Sequence, residues 1–571
     1  MRAPAPSWNS RETWFLVAIA LFTLAVQLVA CTVLEDIQAA PRSGSDESEY
    51  DAYAWSLVQG RGYRGPSVDV LDRDHATAYR PPTASLYYAG VYLLFGHRYA
   101  AAHVANCVLV ALTVLLVYAI TRRCFGRGAA RLAALAYACY PLAVYFNLPL
   151  GSETQGNFLL MLFVWCCLGV TGDRGTRWAI AAGVVLGVFL LCKPGFVLLL
   201  PLLPVWALVV CGKDRLLWLR AALIPLLAGL VLIPWVVRNR LVLGAFIPFG
   251  TGGGQLLLCG NNRVVVEDPR LYGYSVMDNA LPEYGPALRA ANNEVARDAL
   301  AKHFAIDWLR ANPDKWFYLL RAKFVRLWAP LYQGAAYRSF EWFAMAYYGL
   351  ILALFAAALL PVTMRFLRER HPGFLLPCLV VATTGTAVVF HGQHRYRFTI
   401  DGLCIVMAAA TVSWLAEVAA RRSWRSAFAL VRTFVAGRWY WLLFGALAAG
   451  AVAVAWKLDE DHIERYRQRV CRQKLDAIGT AAVAYRRAHG RWPSDVADLV
   501  PEFLPNADAL HCPKHSVGWH DYQLLGSPDM NRAAQLISYE VMRPAEPGKA
   551  VTIREFGTSH FGAENSIRIA P

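Results

Sequence analysis

Charge is scarce in this sequence. Only 17% of its residues are charged, whereas 57% are hydrophobic. Soluble domains carry about 25% and 45–50% of these classes, so a soluble globular fold is excluded for most of the chain. Carboxylates are the scarcer sign, with 40 Asp and Glu against 56 Lys and Arg, a net charge of +16. A basic balance admits nucleic-acid binding, but here most Arg residues stand in short clusters between apolar runs, as in cytoplasmic loops of membrane proteins. Nucleic acid is therefore set aside as a partner. No unit recurs with a period of 20–50 residues, which excludes solenoids and propellers. Metal-ligand spacing is lacking too: most of the 13 Cys lie inside apolar segments, where the residue acts as a small hydrophobe. The first apolar stretch has no small-residue cleavage site ahead of a mature soluble domain, so it is read as a retained anchor.

What the sequence has in abundance is apolar runs long enough to cross a bilayer. Trp14–Val33 is the first. Tyr99–Thr121, Leu132–Phe146, Gly156–Val170, Trp178–Cys192, Phe196–Val210 and Ala221–Val237 follow, then Phe343–Leu360, Phe374–Phe390, Phe398–Ala419 and Tyr440–Trp456. Arg122, Arg123, Arg127 and Arg131, then Arg174 and Arg177, then Lys213, Arg215 and Arg220 place alternate turns in the cytoplasm. The expectation is a mainly α, polytopic membrane protein with about eleven spans. Its amino terminus would be cytoplasmic, and its large loops and C-terminal part would lie on the outer side. Within residues 238–330, Gly250–Gly254 and Gly260-Asn261-Asn262 read as turns of an ordered domain, and Glu294–Leu309 as a helix broken by Asn312-Pro313.

The chain is organised around Asp46–Arg80, the loop after the first span. It opens Asp46-Glu47-Ser48-Glu49-Tyr50, continues through Gly60-Arg61-Gly62-Tyr63 and ends Tyr79-Arg80-Pro81-Pro82. Acids at the mouth of a membrane helix are costly unless they act. Tyr50, Tyr53, Ala54, Leu57 and Val58 recur at helical spacing, so 48–59 reads as an amphipathic surface helix, and 82–95 as a surface or re-entrant helix. The same outer side collects Glu47, Glu49, Asp51, Glu153, Lys193, Arg238, Arg240, His391, His394, Arg395 and Arg397. A carboxylate there can act as general base, and Arg and Lys can hold a phosphate leaving group. Several carboxylates leave a divalent metal open, though no ligand spacing demands one.

Asp-Glu-x-x-Tyr after the first span resembles the membrane-integral GT-C glycosyltransferases, among them the aminoarabinose transferases and the dolichyl-phosphate-mannose protein mannosyltransferases. The resemblance continues through Tyr50–Tyr63, Arg80-Pro81-Pro82, Ser152-Glu153-Thr154, Lys193-Pro194, Pro234-Trp235 to Arg238-Asn239, Gly260-Asn261-Asn262 and Arg395-Tyr396-Arg397. It covers roughly Trp14–Ala419. It implies a sugar donor on a polyprenyl phosphate, an extracytoplasmic acceptor (lipid, glycan or protein) and a bacterial-type plasma membrane location. Asp46 would be the general base, with Asp51 a rival, and Glu153 a second catalytic carboxylate. Glu47, Tyr50, Arg80, Lys193, Arg395 and Arg397 would contact substrate. Glu49 stands where some members carry a basic residue. The alternative reading is a transporter or flippase for a lipid-linked glycan intermediate.

Two domains are expected, 1–456 in the membrane and 457–571 outside it as an α+β domain. Gln473–Tyr485, Gly490-Arg491-Trp492-Pro493, Leu499–Pro505 and His511-Cys512-Pro513 resemble the globular part of pseudopilins. Cys471 and Cys512 are a candidate disulfide in the oxidising space outside.

Overall fold

The computed structural model describes residues 10–42, 44–67, 75–268, 271–329, 338–420, 439–500, 502–504, 539–542, 551–555 and 566–569. They fall into two compact units, one of residues 1–252, 327–387 and 393–434, the other of 253–326, 388–392 and 435–571.

The first unit is helical among its described residues. Its first helix, α1 (Ser10–Leu34), turns Glu12, Thr23 and Gln27 inward and leaves Trp14, Leu21 and Val29 exposed. That is the reverse of a helix in water, where apolar residues go inside; it suits a helix whose outer face meets lipid. Next come α2 (Asp46–Val58), α3 (Pro82–Phe95), α4 (Tyr99–Phe125), α5 (Arg127–Ala138) and α6 (Pro141–Tyr145). The expected span 132–146 is thus two helices. Pro141 supplies no N–H and cannot continue a helix interior, but it suits the first turn of α6. Then follow α7 (Glu153–Gly169), α8 (Gly175–Leu190), α9 (Leu202–Cys211) and α10 (Arg215–Leu243). Gly183 and Gly187, one turn apart, admit α10 closely: a Cβ on either would lie 2.9 Å from the carbonyl oxygen of Ile224 or Ala228. This is small-residue packing between apolar helices. The remaining helices of the unit are α16 (Arg338–Glu369), α17 (Leu375–Val389) and α18 (His394–Ala420). Val114, Tyr118, Ala133, Tyr137, Leu160, Val164, Phe189 and Leu403 share one core.

Six helical segments among the described residues are long and apolar enough to cross a membrane: Ser10–Leu34, Tyr99–Phe125, Arg215–Leu243, Phe343–Glu369, Pro372–Val389 and His394–Ala416. The expected count of about eleven also drew on shorter runs. Three of those run as α7, α8 and α9, of 17, 16 and 10 residues.

In the second unit, α11 (Gly253–Gly260), α12 (Arg263–Glu267), α13 (Gly285–Arg289), α14 (Glu294–Ala311) and α15 (Trp316–Trp328) surround a core containing Leu258, Val265, Leu288, Ala301 and Tyr318. The glycines at 253 and 254 begin a helix rather than a turn. A Cβ on Gly254 would fall 2.0 Å from the Asp298 carbonyl oxygen, so glycine serves close packing of α11 on α14. The Asp298 carboxylate then accepts from the Gly254 and Gln255 amides at 2.7 and 3.3 Å.

The last helix, α19 (Trp439–His489), runs unbroken for 51 residues, well past the end of the expected span Tyr440–Trp456. Its Ile463 and Tyr466 join the α11–α15 core, and Arg467 donates to the Val266 carbonyl and the Tyr318 hydroxyl at 3.0 and 2.8 Å. Farther along, Leu475, Ile478, Ala482 and Tyr485 pack with Val496, Leu499 and Leu504. Strands β1 (Tyr539–Met542), β2 (Val551–Glu555) and β3 (Ser566–Ile569) form an antiparallel sheet in that order, pairing Tyr539 with Glu555 and Val551 with Ile569. Cys512 and His511 lie outside the described residues, as does the side chain of Cys471.

Candidate active site

The site grows from the start of α2. Ser45 caps that helix, its hydroxyl accepting from the Ser48 amide at 3.3 Å. Asp46, Glu47 and Glu49 occupy the first turn, where the helix dipole favours negative charge. Asp46 is thus the first residue of the helix, not a loop residue ahead of it. Nor does α2 merely rest on a surface: Tyr50 and Ala54 pack with Ala84, Tyr88 and Tyr92 of α3.

Four other segments converge on Asp46. Arg80, two residues before α3, donates from Nη2 to Asp46 Oδ1 at 2.6 Å and from Nε to Glu49 Oε2 at 2.5 Å. Arg395, at the start of α18, donates from Nη1 to Asp46 Oδ2 at 2.6 Å and from Nε to Glu153 Oε1 at 2.5 Å. Glu153 begins α7, and Lys193 follows α8; Lys193 Nζ lies 2.8 Å from Glu153 Oε1 and donates to Ser152 Oγ at 2.9 Å. Tyr50 donates to the same Ser152 hydroxyl at 3.2 Å. The result is a chain of alternating charge, Glu49–Arg80–Asp46–Arg395–Glu153–Lys193. It links residues up to 349 positions apart.

Small residues let these side chains meet. A Cβ on Gly151 would lie 2.3 Å from Glu153 Oε2, and one on Gly156 would lie 2.9 Å from Lys193 Cγ and Cε. The loop that carries Arg80 is tied down separately. Arg238 of α10 donates to the Thr77 and Tyr63 carbonyls at 2.7 and 2.8 Å, and the Tyr63 hydroxyl donates to the Arg80 carbonyl at 3.0 Å.

Burial penalises each charge, and the neighbours decide the outcome. Burial raises the Asp46 carboxyl, but Arg80 and Arg395 outweigh it and hold the group far below the usual carboxylate range. Glu153 experiences the same contest and is held at about 2 by Arg395 and Lys193. Burial, with Asp46 beside it, pushes Glu47 up; burial also leaves Glu49 raised despite Arg80. Burial pushes the Tyr50 phenol up, so it remains a neutral donor. Asp46 is therefore an anion whose side chain keeps 30% exposure, whereas Glu153 keeps 3%.

Of the substrate contacts expected from the sequence, Tyr50, Arg80, Lys193 and Arg395 meet at this cluster. Glu47 sits beside it, accepting from the Ser45 hydroxyl at 3.4 Å. Arg397 does not reach it. Arg397 is buried, pairs with Asp401 at 3.2 Å, donates to the Leu327 carbonyl at 2.9 Å and lies over the Tyr348 ring. Two residues apart on a helix, Arg395 and Arg397 point some 200° apart. Asp51 is also turned away and engaged: Tyr92 and His97 both meet its Oδ1 at 2.8 Å. Glu49, Ser152, Gly151, Gly156 and Asp401 gain roles the sequence did not assign them; the start of α7 directly after Gly151-Ser152 was the available signal. A resident divalent metal does not fit the cluster, because an Arg or Lys already stands between neighbouring carboxylates. No group of three His, Cys, Asp or Glu among the described residues is arranged to hold a metal.

A cavity of about 960 Å³ lies in the same unit, its wall including Pro82, Gln155 and Leu191, each two residues from Arg80, Glu153 or Lys193. Loop residues Arg61–Arg64, α3, α7, α8 and α10 wall it with mainly apolar side chains. Leu86 and Val242 on its wall are 54% and 50% exposed, so it communicates with the surroundings.

Residues 79–237, under a third of the chain, match the family model of dolichyl-phosphate-mannose-protein mannosyltransferases. That stretch includes Arg80, Glu153 and Lys193 but neither Asp46 nor Arg395. No curated protein matches the chain significantly. Among solved structures, an oligosaccharyltransferase, AglB of Archaeoglobus fulgidus, in complex with an inhibitory peptide and a dolichol-phosphate, aligns at 14% identity and TM-score 0.41 over 81% of this chain. ArnT of Cupriavidus metallidurans bound to undecaprenyl phosphate aligns at 17% identity and TM-score 0.37, covering 72% of this chain and 80% of that one. The chain spans 58% of the length of the archaeal enzyme.

Proposed function

We propose that this chain is an integral-membrane glycosyltransferase that moves a sugar from a polyprenyl-phosphate donor to an extracytoplasmic acceptor, with inversion at the anomeric carbon. The observation that carries this reading is the alternating ion chain centred on Asp46. It places an obligate carboxylate between two guanidinium groups that can take over a phosphate. The match of residues 79–237 to the mannosyltransferase family model supports it.

The chemistry follows from what each side chain can hold. A donor phosphate entering the cluster competes with Asp46 for Arg80 and Arg395, whose forks suit phosphate oxygens as well as carboxylate. As the arginines turn to phosphate, Asp46 loses the partners that depress its proton affinity and becomes a stronger base. It then accepts the proton of the acceptor hydroxyl or amine as that oxygen or nitrogen bonds to the anomeric carbon. The bond from that carbon to the phosphate oxygen breaks on the opposite side, and the phosphate departs against Arg80, Arg395 and Lys193. Glu153 holds Arg395 and Lys193 in place, and Tyr50 and Ser152 orient Lys193. The apolar cavity receives the hydrocarbon part of a lipid-linked substrate. Such a cavity, walled by the first loop, favours a transferase over a flippase.

On this reading the protein resides in a bacterial-type plasma membrane with a cytoplasmic amino terminus. Residues 457–571 are a pseudopilin-like domain on the outer side. Asp46→Asn keeps the size of the side chain and removes the base. Purified variant incubated with polyprenyl-phosphate sugars should release no carrier phosphate while keeping the wild-type Tm. Near-normal release would overturn the proposal.

A further inference from the structure

Polar and sulfur-bearing side chains gather where the end of α1 meets α4. The inward stripe of α1 runs Thr23, Gln27 and Cys31, one residue per turn, and all three are buried. Cys31 stands in the last turn of α1, and Cys107 of α4 faces it; both are buried free thiols in this structure. Their sulfurs lie 3.7 Å apart, in contact across 76 positions of chain. Asn147 joins the group: its Nδ2 donates to Cys107 Sγ at 3.4 Å and to Gln27 Oε1 at 3.0 Å, and its Oδ1 accepts from the Thr154 hydroxyl at 3.3 Å. At its other end α1 is held to α4 by charge, where Glu12 accepts from Tyr118 and lies 3.3 Å from Arg122. At the Cys31 end the two helices meet through sulfur and carboxamide groups, and from here the chain runs on to Asp46.

A thiol is a weak hydrogen-bonding group, so two in contact gain little as thiols; joined, they gain a covalent constraint. We propose that Cys31 and Cys107 are a disulfide site, a staple from α1 to α4. The bond needs the sulfurs at about 2.0 Å, so the two side chains turn toward each other to close the 3.7 Å gap. Each thiol gives up one proton and one electron. A dithiol–disulfide oxidant takes both of each through a mixed disulfide and ends as two thiols. It meets the cysteines before α1 closes on α4, because both are buried afterwards. The ring so closed contains Asp46, Glu49 and Arg80, three members of the ion chain. Asn147 extends the hold through Thr154 to the turn that carries Glu153. The oxidant's presence rests on the outer-side reading proposed above; the contact between the two sulfurs does not.

The test does not require that transfer be seen. The full chain is synthesised into nanodiscs under oxidised glutathione or under dithiothreitol, denatured with N-ethylmaleimide present, and digested for mass spectrometry. The oxidised sample should yield the Cys31 and Cys107 peptides joined, and the reduced sample the two alkylated. Reduction should lower the apparent Tm about 5 °C more in wild type than in Cys107→Ala, the order of size expected for closing a ring of this length. Where Cys107→Ala does not fold, Cys31→Ser takes its place. Both thiols alkylated after oxidised synthesis, either one joined to a different cysteine, or an equal fall in Tm in wild type and variant overturns the proposal. Cells trapped with the same reagent test the outer-side reading by itself: a bond that forms in nanodiscs but is absent from cells refutes that placement and leaves the site standing.

Discussion

Replacing Glu153 by Gln tests how the cluster is held together. The side chain keeps its shape, but Arg395 and Lys193 lose the carboxylate that lies 2.5 and 2.8 Å from them. The carboxyl is held at about 2 against an ordinary 4.5, which corresponds to about 3 kcal/mol favouring the folded, ionised form. At 3% side-chain exposure there is little solvent screening to discount. Because the folded value is the lower one, this stability is present above about pH 4.5 and is lost as pH falls toward 2. Glu153→Gln should therefore unfold about 5 °C below wild type at pH 7, read as apparent Tm at one heating rate. The difference should be nearly intact at pH 5 and shrink at pH 4 and 3, since wild type there loses what the variant never had. Carrier release at pH 7 should fall at least tenfold, because Arg395 is no longer anchored toward Asp46. A Tm gap that stays constant across this pH range, or no gap at pH 7, would refute the reasoning.

Three further substitutions separate site from scaffold. Asp51→Asn should leave carrier release within about threefold of wild type, since Asp51 is engaged by Tyr92 and His97 away from the cluster; a loss comparable to Asp46→Asn would return Asp51 to the base role. Arg397→Met removes the cation beside the buried Asp401 and leaves it only the Tyr140 hydroxyl at 2.6 Å, so it should lower stability by about 3 kcal/mol in denaturant titration, with KM for the donor unchanged in whatever folds. Gly156→Ala places a methyl 2.9 Å from the Lys193 chain and should raise donor KM several-fold with only a small change in Tm; an unaltered KM would show that Lys193 is not needed where it stands.

Much of the site could be read from residue order. Asp46, Arg80, Glu153, Lys193 and Arg395 each belong to a short acid or base motif at the end of an apolar run, and the structure joins all five through ion pairs. Arg397 was grouped with them because Arg-Tyr-Arg reads as one motif at the head of a span. Only the start of α18 at His394 shows that the second arginine turns into the core. Glu49 was noticed as a departure from a family pattern, but its grip on Arg80 depends on helix phase and on the path of a loop some thirty residues later. Spans were harder. Length and hydropathy merged 132–146 across Pro141 and ended a span at Trp456 within α19, because neither reports where a backbone turns. At Gly253-Gly254 glycine was taken for a turn, though its small size admits a neighbouring helix.

Counted along its length, the ion chain holds three acids and three bases. The cluster itself therefore carries no surplus charge. A stray phospholipid head or inorganic phosphate finds no surplus positive charge to attract it and must break existing pairs to lodge there. Only a molecule that brings compensating contacts of its own, such as a sugar and a long lipid tail, recovers that cost. Selectivity against the crowd of anions at a membrane surface is in this way built into the resting protein, before any substrate arrives.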